Sequence, residues 1–549
     1  MAQKRALPAR GRWTRWSLVL FVAGITAAAL FHALDLASRL AQTSDSAQSL
    51  VAGHAVVRGN ALLSGWHLPL NDYYFTDTIP YAALEWLTGP RPFLLVLVPA
   101  LTYALFVLAA LAACIRPSRP LMSNLEAGAA IALVLAAPAW VGSWNPMLLS
   151  GMHVATVLGA LVALALCARI AHAEHRNARL DVAAGVALLL VTSATLASDP
   201  FSLVFAFGPV LAVLVLEAIS YPAARNLRVA PLWLGSAIAL GLVLPWMIAR
   251  VGGFTIESDV LTRFVAAPLF GRNLLALLSG ALTLFGVNSF GMEFGFRTVF
   301  LLALRGMALA IVVAAVFRVA RRLVGRRQAI LFDRMLCAGM LSLLAACALS
   351  AQFGKGITPQ SIWTGGSPMR YLVPAVLFGA VLAGRQVPDL IAVLSTLRVR
   401  NAAFGVLVLL AALSVIAGGW LPRDVEAQPR WIANNPPEAA ARWLEQHGLV
   451  EGAGEYWSSN LVTAMSDDTV QVRSVVPVAG RLVPYVWVED RRWFSQPPQF
   501  VIWQDNNKTG LTFEDVRATY PICETTFVAG YRIAVLKDPT HISRCANRS

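Results

Sequence analysis

Eleven apolar segments, each about long enough to cross a lipid bilayer, run through the sequence and leave little room for any other architecture. They lie near residues 16–36, 93–115, 124–142, 148–171, 181–197, 200–220, 230–250, 297–319, 329–351, 370–386 and 402–420. Only 13% of the residues are charged, whereas soluble domains carry about 25%. The sequence therefore predicts a polytopic α-helical membrane protein with about eleven spanning helices.

The distribution of basic residues predicts the orientation of these helices. If the N-terminus lies inside, the inner loops and helix ends hold twenty Lys or Arg residues and the outer short and medium loops hold nine. This asymmetry predicts a cytoplasmic N-terminus and an extracytoplasmic C-terminal part. Because the basic residues lie in short clusters between apolar segments, the net charge of +14 does not indicate a nucleic-acid partner. The Ala- and Arg-rich composition suggests a bacterial inner membrane.

One further apolar segment, residues 273–287, does not fit a full crossing. It is short, and counting it as a span would move the basic cluster at 318–327 to the outer side, against the charge rule. We therefore expect a re-entrant or interfacial helix in the loop 251–296.

The sequence divides into a membrane domain over residues 1–420, with a long first outer loop at 37–92, and an α/β domain over residues 421–549. In the second domain, Asn435 followed by two prolines predicts a capped helix. β-type runs at 470–476 and 500–503, a helix at 512–519 and a hairpin at 525–536 follow. Cys523 and Cys545 form a disulfide or remain two unpaired thiols.

The first loop contains the polar residues expected of a site. It mixes carboxylates, histidines and many aromatic residues, a combination that suits a carbohydrate substrate, although Trp and Tyr also serve as membrane-interface anchors. Asp45 begins an amphipathic segment at 46–63 and is interpreted as a general base or metal ligand, with a helix N-cap as the alternative. Candidate substrate-binding residues in the same loop are Arg58, Trp66 and Asp77.

Four more candidates lie outside the first loop but near the same predicted face: Asp199, expected to be catalytic together with Asp45, and three expected substrate-binding residues, His153, Arg370 and Tyr371. His153 starts a helix after a short turn, and Asp199 separates two apolar segments, where a charge is costly unless it is paired or functional. A capped turn is the alternative for Asp199. Arg370 and Tyr371 open another helix, where the Arg fork could hold a phosphate, with an interface anchor as the alternative.

This layout resembles the GT-C superfamily of membrane glycosyltransferases, whose relatives include the protein O-mannosyltransferases and the lipid A aminoarabinose transferases. The sequence pieces that carry the resemblance are Ser44-Asp45, Gly59-Asn60, Gly65-Trp66, His153 and Ser198-Asp199-Pro200. The resemblance implies transfer of a sugar from a polyprenyl-phosphate donor to a carbohydrate, lipid or protein acceptor on the outer face. Asp45 would be the catalytic acidic residue.

The sequence departs from the GT-C pattern at one point. Many members of the superfamily have acidic pairs in the first loop, whereas Asp45 is flanked by Ser44 and Ser46. The resemblance alone would allow a divalent metal ion, but without such a pair we expect metal-independent base catalysis and no cofactor.

Two other classes remain open as alternatives. A flippase or transporter of lipid-linked glycans would show repeats and broken helices in matching positions, which the sequence lacks. A non-catalytic envelope scaffold is the third possibility. An enzyme should have Asp45 and Asp199 beside one outward-facing site, whereas a transporter should have its polar site at mid-membrane depth.

Overall fold

The computed structural model describes residues 9–116, 118–139, 144–171, 178–222, 224–257, 263–290, 294–324, 330–355, 363, 366–393, 396–418, 435–505 and 509–537. Helices dominate the first two thirds of the chain. They are α1 (Ala9–Ala37), α2 (Ser44–Val57), α3 (Ile79–Thr88), α4 (Leu94–Cys114), α5 (Leu121–Leu135), α6 (Val154–Ala171), α7 (Ala178–Ser198), α8 (Gly208–Ser220), α9 (Arg225–Arg250), α10 (Ala267–Leu284), α11 (Phe296–Val324), α12 (Leu331–Leu349), α13 (Ala351–Lys355), α14 (Val373–Ala392) and α15 (Leu397–Ala417).

Within these described residues, eleven helices are long and apolar enough to cross a membrane, which confirms the predicted class and number. Their membership differs from the prediction at two positions. Helix α10 is among the eleven, whereas α5 has only 15 residues and is the one shorter apolar helix. Helix α5 ends at Leu135, and its residues 127–135 are almost completely buried against α14 and α15.

Ion pairs gather the basic helix ends at one end of the bundle, here called the basic end. Asp389 near the end of α14 lies 3.4 Å from Arg119 and 3.7 Å from Arg318 near the end of α11. Arg385 pairs with Asp333 at the start of α12. The clusters that the charge rule assigned to one side of the membrane therefore lie together in the fold.

The first loop lies at the opposite end of the bundle, here called the loop end. The chain after α9 joins it, since the Phe254 N–H donates to the Leu62 carbonyl at 2.8 Å. Helix α11 starts at the loop end because its last turn lies at the basic end. Both ends of helix α10 lie toward the loop end, since Asn273 donates to the Ser350 carbonyl after α12 at 2.9 Å and Gly286, just after α10, lies beside Arg305 of α11. This geometry supports the predicted re-entrant or interfacial helix over a full crossing. The shorter helix α5, which follows Arg119 of the basic end, then takes the place of α10 among the eleven crossings.

The C-terminal domain is built on a six-stranded mixed sheet in the order β5-β4-β3-β7-β9-β8. Its elements, with the short strands outside this sheet, are β1 (Trp66–Pro69), β2 (Thr255–Glu257), α16 (Pro436–Gln446), β3 (Glu451–Glu455), α17 (Tyr456–Met465), β4 (Gln471–Val478), β5 (Arg481–Pro484), β6 (Glu489–Asp490), β7 (Phe500–Trp503), α18 (Phe513–Thr519), β8 (Ile522–Val528) and β9 (Tyr531–Leu536). The boundary predicted at residues 420 and 421 lies outside the described residues.

Most predicted elements of this domain are confirmed. Asn435 caps α16 by accepting from the Glu438 N–H at 2.7 Å, and β8 and β9 form the predicted hairpin. The sequence missed β3, the strand that pairs with both β4 and β7. A side chain at Gly452 would lie about 2.2 Å from the Phe500 ring, so glycine is required there and the usual β-branched pattern is missing.

A second, three-stranded sheet joins the domains. Strand β1 of the first loop pairs with β2 on one side and with β6 of the C-terminal domain on the other. Helix α2 has the helical spacing expected for residues 46–63, but it is buried between α3 and α17. The first loop is therefore covered by the C-terminal domain.

The cysteines of the described residues fall into two groups. Cys114, Cys167, Cys337 and Cys347 are free and buried in helices. Cys523 is disulfide-bonded, and its predicted partner Cys545 lies outside the described residues.

Candidate functional site

Asp45 lies in the first turn of α2 without capping it. Thr43 is the N-cap: its side chain accepts from the Ser46 N–H, and the Ser46 hydroxyl accepts from the Thr43 N–H at 2.9 Å. The N-cap interpretation of Asp45 is therefore wrong, because this reciprocal capping box already occupies the helix start. The Asp45 carboxylate points elsewhere and accepts a hydrogen bond of 2.6 Å from the Tyr456 hydroxyl at the start of α17.

Arg370 provides a positive charge in the same cluster. Arg370 lies in a 3₁₀ turn, Ser367–Leu372, that leads into α14. Its guanidinium lies over the Tyr371 ring, 5.0 Å from the centroid, and donates to the Tyr371 hydroxyl at 3.1 Å. Arg370 also interacts electrostatically with Asp45 and Tyr73. An acid and a cation from segments far apart in sequence thus interact electrostatically at the loop end.

His153 and Asp199 form a buried pair beside Arg370 and Tyr371. The His153 Nδ1–H donates to Asp199 Oδ2 at 2.6 Å, and the two residues are only 2% and 0% exposed. Asp199 also accepts from the Phe201 N–H at 3.2 Å. Asp199 therefore both caps the turn, as the alternative interpretation proposed, and pairs with His153. The His153 ring packs against Tyr371 with a centroid distance of 5.7 Å, so the pair supports the side chain on which Arg370 rests.

Backbone strain accompanies this pair. His153 has φ of +70° and Tyr73 has φ of +51°, in the left-handed region that non-glycine residues seldom adopt. The two rings contact each other edge to face at 5.9 Å. Such strained positions persist only where surrounding contacts hold them, and they concentrate at functional sites.

Two further carboxyl groups flank the cluster. Asp77 lies in a short π-helical turn, Tyr74–Thr78, and accepts from the Gly151 N–H at 3.1 Å. Burial raises the pKa of Asp77 to about 6. Burial also raises the pKa of Asp72 well above its usual range, and its neighbour Asp199 adds to this increase. Both groups therefore favour the protonated form more than exposed carboxyls do.

Arg58 and Trp66 lie away from this cluster. Arg58 is half exposed and donates to Asp468 of the C-terminal domain at 2.7 Å. Trp66 is 1% exposed and contacts Trp493 edge to face at 5.7 Å. Both side chains connect the first loop to the C-terminal domain. The structure thus brings together Asp45, Asp77, His153, Asp199, Arg370 and Tyr371 and leaves Arg58 and Trp66 at the domain junction.

The described residues include no group of three or more His, Cys, Asp or Glu side chains placed to hold a metal ion. Asp45 instead accepts a hydrogen bond from the Tyr456 hydroxyl and interacts electrostatically with the Arg370 guanidinium. Neither group can act as a second carboxylate ligand beside Asp45.

Sequence reasoning missed Tyr456 and Tyr73. Tyr456 is 411 residues from Asp45 and belongs to another domain. A Tyr-Trp dipeptide after a glycine-rich stretch indicates no particular partner, so only the packing of α17 on α2 reveals its role. Tyr73 is one of many aromatic residues in the first loop, and no residue nearby marks its strained backbone.

The helical bundle, the long first loop and the C-terminal domain that covers it together define a GT-C-type membrane protein fold, as the sequence predicted. Among solved structures, the chain is similar to ArnT from Cupriavidus metallidurans bound to undecaprenyl phosphate, with a TM-score of 0.52 and 13% identity over 95% of this chain and 98% of that one. At this identity the similarity establishes the fold.

Two other solved structures match with lower scores. The apo state of the same ArnT has a TM-score of 0.42 and 12% identity, over 95% of this chain and 98% of that one. The Archaeoglobus fulgidus oligosaccharyltransferase tethered with an acceptor peptide has a TM-score of 0.42 and 14% identity, over 86% of this chain and 64% of that one. No protein-family model matches the sequence, and no curated protein matches it significantly.

Proposed function

We propose that this protein is a membrane glycosyltransferase that transfers a sugar from a polyprenyl-phosphate donor to an acceptor on the extracytoplasmic face. The N-terminus would be cytoplasmic, and the loop end with the C-terminal domain would face outward from a bacterial inner membrane. The basic-residue distribution supports this orientation. The GT-C-type fold supports the reaction class, since ArnT, which shares it, binds undecaprenyl phosphate.

One observation carries the proposal: Asp45 and Arg370, beside the start of α14, belong to the same cluster of polar residues at the loop end and interact electrostatically. A transfer of this kind needs a base for the acceptor hydroxyl and a cation for the departing phosphate. In the proposed step, the acceptor oxygen bonds to the anomeric carbon and its proton passes to Asp45. The bond from the anomeric carbon to the phosphate oxygen breaks, and its electron pair leaves with the polyprenyl phosphate beside Arg370.

The buried His153–Asp199 pair contributes to this step by positioning Arg370 through Tyr371. It holds the ring of Tyr371, and Tyr371 in turn holds the Arg370 guanidinium by its hydroxyl and its face. A fixed guanidinium needs little reorganisation as charge develops on the phosphate. His153, Asp199 and Tyr371 are therefore proposed as positioning residues and Arg370 as the phosphate-binding residue.

We propose base catalysis by Asp45 without a resident metal ion, on the grounds of its partners. A hydroxyl donor and a guanidinium both stabilise a free carboxylate. The transporter alternative is less favoured because the polar groups cluster at the loop end of the bundle, not halfway along the helices. A scaffold would not require the strained backbone at His153 and Tyr73.

The test uses the purified full chain in lipid nanodiscs with radiolabelled undecaprenyl-phosphate hexose or aminopentose and an envelope glycolipid extract as acceptor. We expect transfer by the wild-type protein and none above background by Asp45→Asn, because the amide cannot accept the proton. Asp505→Asn is the matched control, since Asp505 is an exposed residue paired with Arg532 in the C-terminal domain.

Two results would contradict the proposal. Undiminished transfer by a folded Asp45→Asn protein would remove Asp45 from the mechanism. In sealed proteoliposomes, movement of the intact lipid-linked sugar between leaflets without transfer would favour the transporter.

A further inference from the structure

A row of aromatic side chains in the C-terminal domain leads away from Asp45. Tyr456 donates to Asp45 at 2.6 Å, and its ring meets Tyr485 edge to face at 5.5 Å. The Tyr485 ring lies nearly parallel to Trp487, at 18° and a centroid distance of 6.5 Å. Tyr456, Tyr485 and Trp487 are here called the aromatic row. It begins at the proposed base and extends over the first-loop junction.

The row is held in place by the protein itself. The Tyr485 N–H donates to the Ser474 carbonyl at 2.8 Å, and the Val488 N–H donates to the His67 carbonyl at 2.8 Å. These two bonds fix the segment that carries Tyr485 and Trp487 at both ends. Both rings remain partly open to solvent. Binding of a ligand that stacks on these rings would therefore cost little conformational entropy, because the segment is already ordered.

Polar groups lie near the row. The phenol of Tyr485 interacts electrostatically with Glu257 and with Asp45. His67 shares a hydrogen bond of 2.6 Å with Thr255, and Arg491 donates to His67 at 3.1 Å. Aromatic faces beside carboxylate, hydroxyl and guanidinium groups match the apolar faces and the hydroxyl edges of a sugar ring. A lipid chain would offer these polar groups no hydrogen bonds.

We propose that the aromatic row binds a sugar unit of the acceptor, so that the acceptor is a glycan or glycolipid rather than a protein. This inference rests on the proposed function, since it places the acceptor next to Asp45. The bound acceptor hydroxyl donates to Asp45 Oδ2, while Tyr456 keeps Asp45 Oδ1. Its oxygen then bonds to the anomeric carbon, its proton passes to Asp45, and the sugar–phosphate bond breaks with the electron pair leaving on the polyprenyl phosphate.

The first measurement is direct binding to the full chain in nanodiscs by saturation-transfer difference NMR. The probes are maltohexaose, chitohexaose and a Ser/Thr-rich peptide of about fifteen residues as a protein-acceptor analogue. The variants are Tyr485→Ala and Trp487→Ala, with Phe527→Ala as the control because Phe527 is 63% exposed on β8, outside the row. Melting temperatures verify that each variant folds.

We expect at least one hexasaccharide to bind the wild-type protein and Phe527→Ala, with about tenfold weaker binding to each row variant, the loss expected for one aromatic stacking contact. Binding of neither hexasaccharide, or equal binding to all variants, would overturn the inference. Peptide binding that is lost in the row variants would overturn it as well and would indicate a protein acceptor.

A second measurement separates this inference from the proposed function. In the transfer assay, we expect the row variants to raise the acceptor KM about tenfold relative to Phe527→Ala. If the wild-type protein transfers sugar but the acceptor KM is the same in all variants, the acceptor site is wrong and the glycosyltransferase stands. If the wild-type protein transfers nothing, the proposed function fails, and the binding measurement still decides the role of the row.

Discussion

Glu489 provides a pH-dependent test of how the C-terminal domain is held. It is 0% exposed in β6, where it pairs across to His67 of β1, and the Ser474 N–H donates to both of its carboxylate oxygens, at 2.7 and 2.9 Å. Burial raises the pKa of Glu489 from 4.5 to about 8, although the Ser474 hydrogen bonds and Arg473 oppose the increase. As the pH rises, Glu489 therefore stays protonated to a much higher pH in the folded protein than in the unfolded chain.

The sign of the effect follows from the two pKa values. Below pH 4.5 the carboxyl is protonated in both states, so its titration does not change the free energy of unfolding. Between pH 4.5 and about 8 the unfolded chain releases the proton while the folded protein retains it, so stability falls by about 1.4 kcal/mol per pH unit. From pH 5 to pH 8 the loss amounts to about 3 kcal/mol, on the order of 10 °C in the melting temperature of a domain of this size.

The assay is thermal unfolding of the purified full chain between pH 5 and pH 8, followed by tryptophan fluorescence. Glu489→Gln keeps an acceptor for the Ser474 N–H but cannot ionise, so it should melt at a higher temperature than the wild-type protein at pH 8 and lose most of the pH dependence. Glu524→Gln changes an exposed residue on β8 and serves as the control. An equal pH dependence in the wild-type and Glu489→Gln proteins would refute the assignment of this titration to Glu489.

Two further predictions concern the phosphate side of the site and the packing of the sheet. Arg370→Lys should lower kcat for sugar transfer by at least tenfold while the protein stays folded, because an ammonium cannot both lie over the Tyr371 ring and offer a fork of donors. Steady-state kinetics with both substrates test this prediction. A kcat equal to that of the wild-type protein would contradict it. Gly452→Ala should destabilise the C-terminal domain by about 1–3 kcal/mol, because the new methyl group overlaps the Phe500 ring. The melting temperature measures the second effect, and Gly480→Ala serves as a comparison that reports backbone strain alone, because Gly480 has φ of +75° and nothing lies near its added methyl. A Gly452→Ala protein that melts at the wild-type temperature would contradict the packing argument.

The charge rule predicted the grouping of helix ends because ionic groups near a bilayer must either face water or pair. The same residues that marked one side, Arg119, Arg318 and Arg385, pair with Asp389 and Asp333 at one end of the bundle. By exclusion, His153, Asp199 and Arg370 had to lie at the other end. The charge rule predicts only that these residues lie at the same end of the bundle. The structure shows in addition that they form one contact network, which hydrophobic periodicity does not predict.

Local patterns failed where tertiary contacts decide the outcome. Thr43 competed with Asp45 for the N-cap, and the reciprocal bond to Ser46 decided between them. Strand β3 is defined by its neighbours, since Phe500 fills the space above Gly452. The partner of Asp45 comes from 411 residues away. None of these outcomes leaves a signature within a short window of sequence.

The position of Tyr456 links the docking of the C-terminal domain to the proposed chemistry. Helix α17 packs on α2, and its first residue donates to Asp45, so any displacement of the domain moves the donor away from the base. The domain is held against the first loop by the β1–β6 pairing and by the Arg58–Asp468 contact. Glu489 lies in the same β6 strand and interacts electrostatically with Tyr456. Ionisation of Glu489 therefore weakens the junction that keeps Tyr456 on Asp45. Transfer should accordingly decline with rising pH before the membrane helices lose their structure.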